Sequence, residues 1–224
     1  DTVPVVVVRD GAERTVAAKT AKTAESDGAT VIGVSLRMDY DLPVDVTYVQ
    51  GEDSRVVIEG PKDYAERITL EGGRFGLAGD VHLDTSDVTI DLNGVRILDA
   101  GDRIRITVTA PKVSRFTVNG SGDLDIRNYE QPTLAVQVQG SGDVTGAGRS
   151  GALKLGIVGS GSIDLAEIEA QDAEVATSGS GDATISARGV VKVAVAGSGG
   201  VSLRAKPASL TSEISGSGDV DQDY

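Results

Sequence analysis

Four aspartates, each at the end of the same Gly-Ser-Gly-Asp motif, are the residues of this sequence best placed to do chemistry. They are Asp123, Asp143, Asp182 and Asp219. Carboxylates repeated at one position could bind Ca²⁺, which takes several oxygen ligands. The calcium-binding solenoid motif is G-G-x-G-x-D-x-U-x, however, whereas here Asp follows Gly directly and the period is about double. Ser162 and Gly200 also interrupt the series, so we expect no bound metal.

A phosphate loop, a dinucleotide loop and a glycosidase pair are the other chemistries that these motifs could suggest. A phosphate loop needs a Lys after its second Gly, and a dinucleotide loop must open a helix, whereas a strand pattern follows here. Asp123 and Asp125 could act as a glycosidase pair, but carboxylates recur in modified form along the repeats, as on a solvated face. The single histidine, His82, is expected to be an ordinary exposed strand residue. We therefore predict no catalytic, cofactor-binding or metal-binding residues and no enzymatic activity.

Composition narrows the class of partner. The chain has 224 residues and a net charge of −13, which argues against nucleic acid and against anionic membrane surfaces. It has no cysteine, so disulfides and thiolate metal sites are excluded. The apolar run at residues 3–8 is too short to cross a bilayer and is typical of a strand. With aromatic residues at 3%, the core must be built from Val, Ile, Leu and Ala.

The elements that position the aspartates repeat along the chain. The first Gly of each Gly-Ser-Gly falls at 120, 140, 159, 179, 197 and 216, so the spacings are 18–20 residues. Six, four and two residues before it stand apolar residues such as Leu134, Val136 and Val138. Four and six residues after it the alternation resumes, as at Ile163 and Leu165. Period-2 alternation on both sides predicts two short strands per repeat, each with one face buried.

We therefore predict an all-β fold, a parallel β-solenoid with 18–20-residue coils and Gly-Ser-Gly-Asp or Gly-Ser-Gly-Ser corners. Gly supplies a positive φ or a close backbone approach at each corner, and we expect Ser and Asp to hydrogen-bond locally there. The segment of variable length, residues 127–133 in the first repeat, is predicted to be a loop. Neighbouring coils must cover the inner face of each coil.

The rest of the chain is predicted to join this stack as one continuous domain. Residues 1–29 are assigned to an N-terminal strand and a polar connector, the latter a loop or a short weak helix. Residues 30–118 are assigned to an irregular β region that starts the stack, and residues 119–224 to the regular coils. The tyrosines of the irregular region are expected to fill its wider core. They are Tyr40, Tyr48 and Tyr64.

The C-terminal segment "GDVDQDY" places three aspartates at alternate positions, here named the acidic tail (Asp219, Asp221 and Asp223). The end of a solenoid is an edge that invites pairing with another chain. Repulsion between carboxylates opposes the end-to-end docking of a second copy. We expect the acidic tail to prevent such stacking at neutral pH, and the alternative is an oligomer that hides the edge.

Residues 102–126, "DRIRITVTAPKVSRFTVNGSGDLDI", followed by the recurrent coils, resemble the head GIN domain family of putative auto-transporter adhesins. The resemblance spans roughly residues 30–220. It implies a right-handed β-helix-like fold, an envelope or surface location and no established enzymatic activity. It provides no catalytic motif to carry over. A looser similarity exists to β-solenoid sensor domains of bacterial envelope-stress systems.

Three functions follow as hypotheses. The first is a non-enzymatic envelope or cell-surface protein, an adhesin or scaffold, located in the periplasm, on the outer membrane surface or outside the cell. Its partner would be a protein or a glycan. The second is an envelope-stress sensor or partner-binding module, which genomic context would distinguish. The third is a carbohydrate-active enzyme, which a turnover assay on polysaccharides would reveal.

Overall fold

The structure, a computed structural model, describes residues 2–9, 12–19, 44–52, 55–59, 68–71, 74–77, 88–91, 94–97 and 104–224. This part of the chain contains no helix, and therefore none long and apolar enough to cross a membrane. The strands of the N-terminal half are β1 (Thr2–Arg9), β2 (Ala12–Lys19), β3 (Val44–Gln50), β4 (Arg55–Glu59), β5 (Ile68–Glu71), β6 (Arg74–Leu77), β7 (Val88–Asp91), β8 (Gly94–Ile97) and β9 (Ile104–Ala110). The strands of the regular coils are β10 (Arg115–Gly120), β11 (Asp123–Gly140), β12 (Val144–Gly159), β13 (Ile163–Gly179), β14 (Ala183–Ala187), β15 (Val190–Gly197), β16 (Gly200–Leu203), β17 (Ser209–Gly216) and β18 (Asp219–Gln222).

The regular coils form the predicted parallel β-solenoid. The first glycines of successive corners pair in register from Gly120 through to Gly216. The strands after the corners pair in the same way, from Leu124 with Val144 to Val201 with Val220. Each residue therefore lies above its equivalent about 19 positions earlier in the chain.

Buried and exposed residues alternate along the strands, as the sequence predicts. Val136 is 2% exposed and Val193 3%, while their neighbours along the strands face solvent. Thr177 takes an inward position too, and its buried hydroxyl has no hydrogen-bond partner among the described residues. The inward residues of the last coil are less buried than those before them, and Ile214 is 44% exposed. There β17 pairs only with β15 within the described residues, so nothing described covers its other side.

From the second corner (Gly140 and Gly142) onward, the backbone requires both glycines of the corner. The first has a positive φ, for example 124° at Gly179 and 126° at Gly159. A Cβ on either glycine would meet the preceding coil, since at Gly181 it would lie 2.3 Å from the carbonyl oxygen of Gly161. Stacked corners thus approach more closely than any side chain permits, as predicted.

The loop prediction for residues 127–133 is wrong, as it is for the equivalent segments of the next two coils. Strands β11, β12 and β13 run on through them and pair in parallel, so these coils have a third face. Tyr129 and Ile168 on this face point inward and are buried. The differences in length are absorbed by bulges, one of them at Asn128 with φ 55°. Bulges let the ladder continue where polar residues had suggested a loop.

Five of the N-terminal strands, β1 to β4 and β9, join the same sheet, while β5 with β6 and β7 with β8 form two separate two-stranded sheets. Strand β3 pairs in parallel with the start of β11, and β9 pairs in parallel with β3. Tyr48 of β3 is fully buried, with its ring 5.1 Å from that of Phe116 and 6.5 Å from that of Tyr129. The prediction that it fills the core is confirmed, while Tyr40 and Tyr64 lie outside the described residues.

The polar connector is partly a strand. Residues 12–19 form β2, which pairs antiparallel with β1, so the prediction of a loop or weak helix is wrong there. Pairing with the valine-rich β1 outweighs the weak local preference of this sequence. The predicted strand at residues 3–8 is confirmed within β1. The domain boundaries remain predictions.

Candidate functional site

Three of the four corner aspartates bind the next coil of the stack. Asp143 Oδ1 accepts hydrogen bonds from the backbone N and the Oγ of Ser162, at 2.9 and 2.6 Å. Asp182 Oδ1 accepts from the backbone N of Gly200 at 2.7 Å, and Asp123 Oδ1 from that of Asp143 at 3.1 Å. The predicted local bonds are therefore bonds to the next coil. Ser162 and Gly200, which interrupt the series, supply amide donors to the carboxylates below them.

Among the described residues, no three acidic, histidine or cysteine side chains lie close enough together to hold an ion. Asp125, the second member of the proposed glycosidase pair, is bound by Arg127 Nε at 2.5 Å. It also accepts a hydrogen bond from Thr145 Oγ1 at 3.3 Å. His82 lies outside the described residues.

Three described groups have a shifted pKa, each with a structural cause. Burial raises the pKa of Tyr48 to about 12, and its Oη donates to the carbonyl oxygen of Ala110 at 2.9 Å. Burial also raises the pKa of Tyr129 well above its usual range. Repulsion from Asp219 raises the pKa of the exposed Asp221. The third tail aspartate, Asp223, is bound by Arg204 at 3.0 Å, so that ion pair partly neutralises the acidic tail.

One strip along the outer side of the solenoid carries no charge over the first five corners. It consists of the outward residues one and three positions before these five corners, here named the uncharged face; Lys154, Glu174 and Lys192 border it on the same strands, and Glu213 takes the equivalent position before the sixth corner. These are Thr117, Asn119, Gln137, Gln139, Gly156, Val158, Ala176, Ser178, Ala194 and Ala196. Most are exposed, including Val158 at 53%, in a chain of which 25% is charged. Because the coils stack in register, hydroxyl, amide and small apolar groups repeat along this face at the strand spacing.

A groove lies on the third face, where the sequence had predicted loops. Its volume is about 520 Å³. It is lined by Glu130, Gln131, Pro132, Arg149, Ser150, Gly151, Glu169, Ala170, Gln171 and Arg188. Sequence reasoning missed it, although Glu130, Arg149, Glu169 and Arg188 alternate in sign at the spacing of the repeat. That alternation at 19–20 residues was the signal available.

Comparison with known proteins agrees with this architecture. No curated protein matches the chain. A crystal structure of a putative adhesin from Bacteroides fragilis is similar at 20% identity, with a TM-score of 0.57, over 85% of this chain and 92% of that one. A putative adhesin from Parabacteroides distasonis is similar at 15% identity, with a TM-score of 0.53, over 91% of this chain and 95% of that one. These likenesses show a shared fold.

A family match covers most of the chain. Residues 38–222 match the family described as "Putative auto-transporter adhesin, head GIN domain". The match covers the corner repeats together with most of the irregular β region before them. The chain belongs to the head GIN domain family of putative auto-transporter adhesins.

Proposed function

We propose that the protein is a non-enzymatic binding protein of the bacterial envelope or cell surface, an adhesin or scaffold. The uncharged face is the observation that carries this proposal. Charged residues are depleted at the cores of binding interfaces, because burying an unpaired charge is costly. A flat sheet with repeating small and polar side chains offers an extended contact surface. Its regularity favours binding over catalysis, which needs one unique constellation of groups.

Family membership supports the location. The family description and the similar structures refer to adhesins, whose place is the cell surface or envelope. The coils have the built-in regularity of repeat proteins, whose extended faces serve as binding surfaces. We therefore propose a location in the periplasm, on the outer membrane surface or in the extracellular medium, with a protein or a glycan as partner.

The experiment is a direct binding assay with one charge added to the uncharged face. Fluorescently labelled protein is titrated onto bacterial and host cells, and bound label is measured by flow cytometry. We expect saturable binding that Ala194→Glu weakens about tenfold or more, because the new carboxylate must lose its water at the interface while it stacks against Glu213. Lys192→Glu is the matched control, since Lys192 lies on the same strand outside the uncharged face.

Two results would contradict the proposal. If the labelled protein shows no saturable binding to any cell type, it does not act as a surface-binding protein. If it releases reducing ends from a polysaccharide panel, it is an enzyme instead. Equal weakening by Ala194→Glu and Lys192→Glu would leave surface binding intact but remove the uncharged face as its site.

A further inference from the structure

We infer that the groove on the third face is a second binding site, and that its ligand is a neutral oligosaccharide. The inference goes beyond the proposed function and does not use the uncharged face. The groove is open to solvent, and its volume of about 520 Å³ leaves room for a short chain of sugar units. The shape of the groove, the hydrogen bonds of its floor and the charges of its walls support this inference.

The groove exists because one side chain is absent from a stacked column. Successive coils place Pro132, Gly151 and Gln171 one above the other on the outer side of the third face. Gly151 leaves a gap between the other two. A Cβ on Gly151 would lie 2.6 Å from the carbonyl oxygen of Pro132. No larger residue can therefore fill the gap while the two backbones stay this close.

The floor of the groove is rigid. Ser150 and Ala170 are buried, and Ser150 Oγ donates to the carbonyl oxygen of Ala152 at 2.9 Å. At one end, Gln131 Nε2 donates to the carbonyl oxygen of Pro111 at 3.0 Å. Arg188 stands at the other end, where its backbone N donates to the carbonyl oxygen of Ala170 at 3.2 Å. A site formed before binding loses less conformational freedom when a ligand enters.

The walls carry two positive and two negative side chains. Arg149 stacks on Glu130 and pairs with Glu169 at 3.4 Å, and both partners of this ion pair remain exposed. Ser186 stacks on Glu169, and Arg188 lies two residues further along at the end of the groove; neither Glu130 nor Arg188 forms an ion pair with the described residues. The groove is therefore neutral as a whole, although the chain carries a net charge of −13.

Hydroxyl groups match these walls best. A carboxylate only accepts hydrogen bonds and a guanidinium only donates them, while a sugar hydroxyl does both. Adjacent hydroxyls can thus bridge from Glu to Arg along the column.

Other classes of ligand fit the groove less well. The acidic protein repels anionic ligands. A peptide would need apolar pockets for anchoring side chains, whereas the groove offers only Pro132 and Ala170 as apolar groups. No aromatic ring lines the groove, so we expect weak affinity that many copies on a surface would reinforce.

The test is an NMR titration of the full chain with neutral trisaccharides of glucose, mannose and N-acetylglucosamine at millimolar concentration. We expect at least one of them to shift the amide signals of Ser150, Gly151 and Ala170 saturably. Arg149→Gln should weaken binding about tenfold or more, because hydrogen bonds to charged groups are the strong ones. Lys154→Gln is the matched control, since the pair between Lys154 and Glu174 joins the same two coils at the same 3.4 Å.

Each other outcome overturns the inference. These are no shift with any neutral sugar, tighter binding of trigalacturonic acid or of a polar peptide, and equal weakening by the two variants. If Arg149→Gln does not fold, Gln171→Ala replaces it, because that side chain is exposed and lines the same groove. Cell binding that survives Arg149→Gln but not Ala194→Glu would show that the proposed function stands without the groove.

Discussion

Replacing a corner glycine by alanine should loosen the whole stack, and Gly179→Ala is the sharpest case. Gly179 ends β13 with a φ of 124°, which side-chain-bearing residues rarely adopt. The new Cβ would lie 2.3 Å from the carbonyl oxygen of Gly159. That oxygen has no room to move, because it accepts hydrogen bonds from the backbone N of Ser180 and of Gly181, at 2.9 and 3.2 Å.

Gly156→Ala is the matched control. Gly156 lies in β12 on the uncharged face, and its nearest neighbour to a new Cβ would be Gln137 Cγ at 3.8 Å. No positive φ is present there. Alanine at this position should therefore be neutral or stabilise by about 0.4–1 kcal/mol, since it restricts the unfolded chain.

The cost at Gly179 has two parts. An unfavourable backbone conformation costs about 1–3 kcal/mol. Overpacking against a fixed neighbour costs about 1–3 kcal/mol more. The sum is about 2–6 kcal/mol, which lowers the unfolding midpoint by roughly 5–20 °C for a chain of this size.

Circular dichroism during thermal unfolding measures both variants beside the wild type. Hydrogen exchange then shows whether the loss is centred on the coils that contain Gly159, Gly179 and Gly197, because repeat proteins can open locally. If Gly179→Ala and Gly156→Ala melt together, close backbone approach at the corners does not limit the stability of the stack, and our account of the repeated glycines is wrong.

Four further predictions concern the core, metal, alkali and the acidic tail. Val193→Asp should unfold its coils, because an unpaired buried charge costs several kcal/mol. Thr145→Asp on the outward face should cost much less, although it loses the hydrogen bond to Asp125 and stacks between Asp125 and Asp164, because the new charge stays in water. Equal shifts in Tm would contradict the inward and outward assignment. Thermal unfolding should be the same in chelator and in millimolar Ca²⁺, and a rise of many degrees with Ca²⁺ would make the corner aspartates a metal site. The free energy of unfolding should fall as the pH rises from about 10 towards the raised pKa of Tyr48, about 12, because the Tyr48 hydroxyl ionises more readily in the unfolded chain than in the folded one. Denaturant titrations should show that this fall is reduced in Tyr48→Phe and unchanged in Tyr224→Phe, whose ring is exposed. Asparagine at all three positions of the acidic tail should promote self-association at pH 7. Acid should do the same to the wild type, because the raised pKa of Asp221 means that this carboxylate is protonated, and the repulsion weakened, early as the pH falls. If light scattering shows that both samples stay monodisperse, the acidic tail is not a barrier to self-association.

Local regularities of the sequence were sufficient to predict the solenoid. The alternation at Leu134, Val136 and Val138 follows from strand geometry, in which neighbouring side chains point to opposite faces. The glycine pair at each corner could likewise be predicted, since a positive φ and a close backbone approach both demand Gly. The alternation and the positive φ depend only on a residue and its neighbours in the chain, and the recurrence of the motif every 18–20 residues made the close approach of stacked corners predictable as well.

The tertiary structure decided what depends on residues stacked about 19 positions apart. Polar residues after Ile126 resembled a loop, yet pairing with the neighbouring coil makes them a strand and turns Tyr129 inward. The partner of the Asp143 carboxylate is an amide of the next coil, which no local hydrogen-bonding rule predicts. The groove arises only when the gap at Gly151 lies between the residues above and below it. In a solenoid the surface is created by stacking, so its sites become visible only once the register between coils is known.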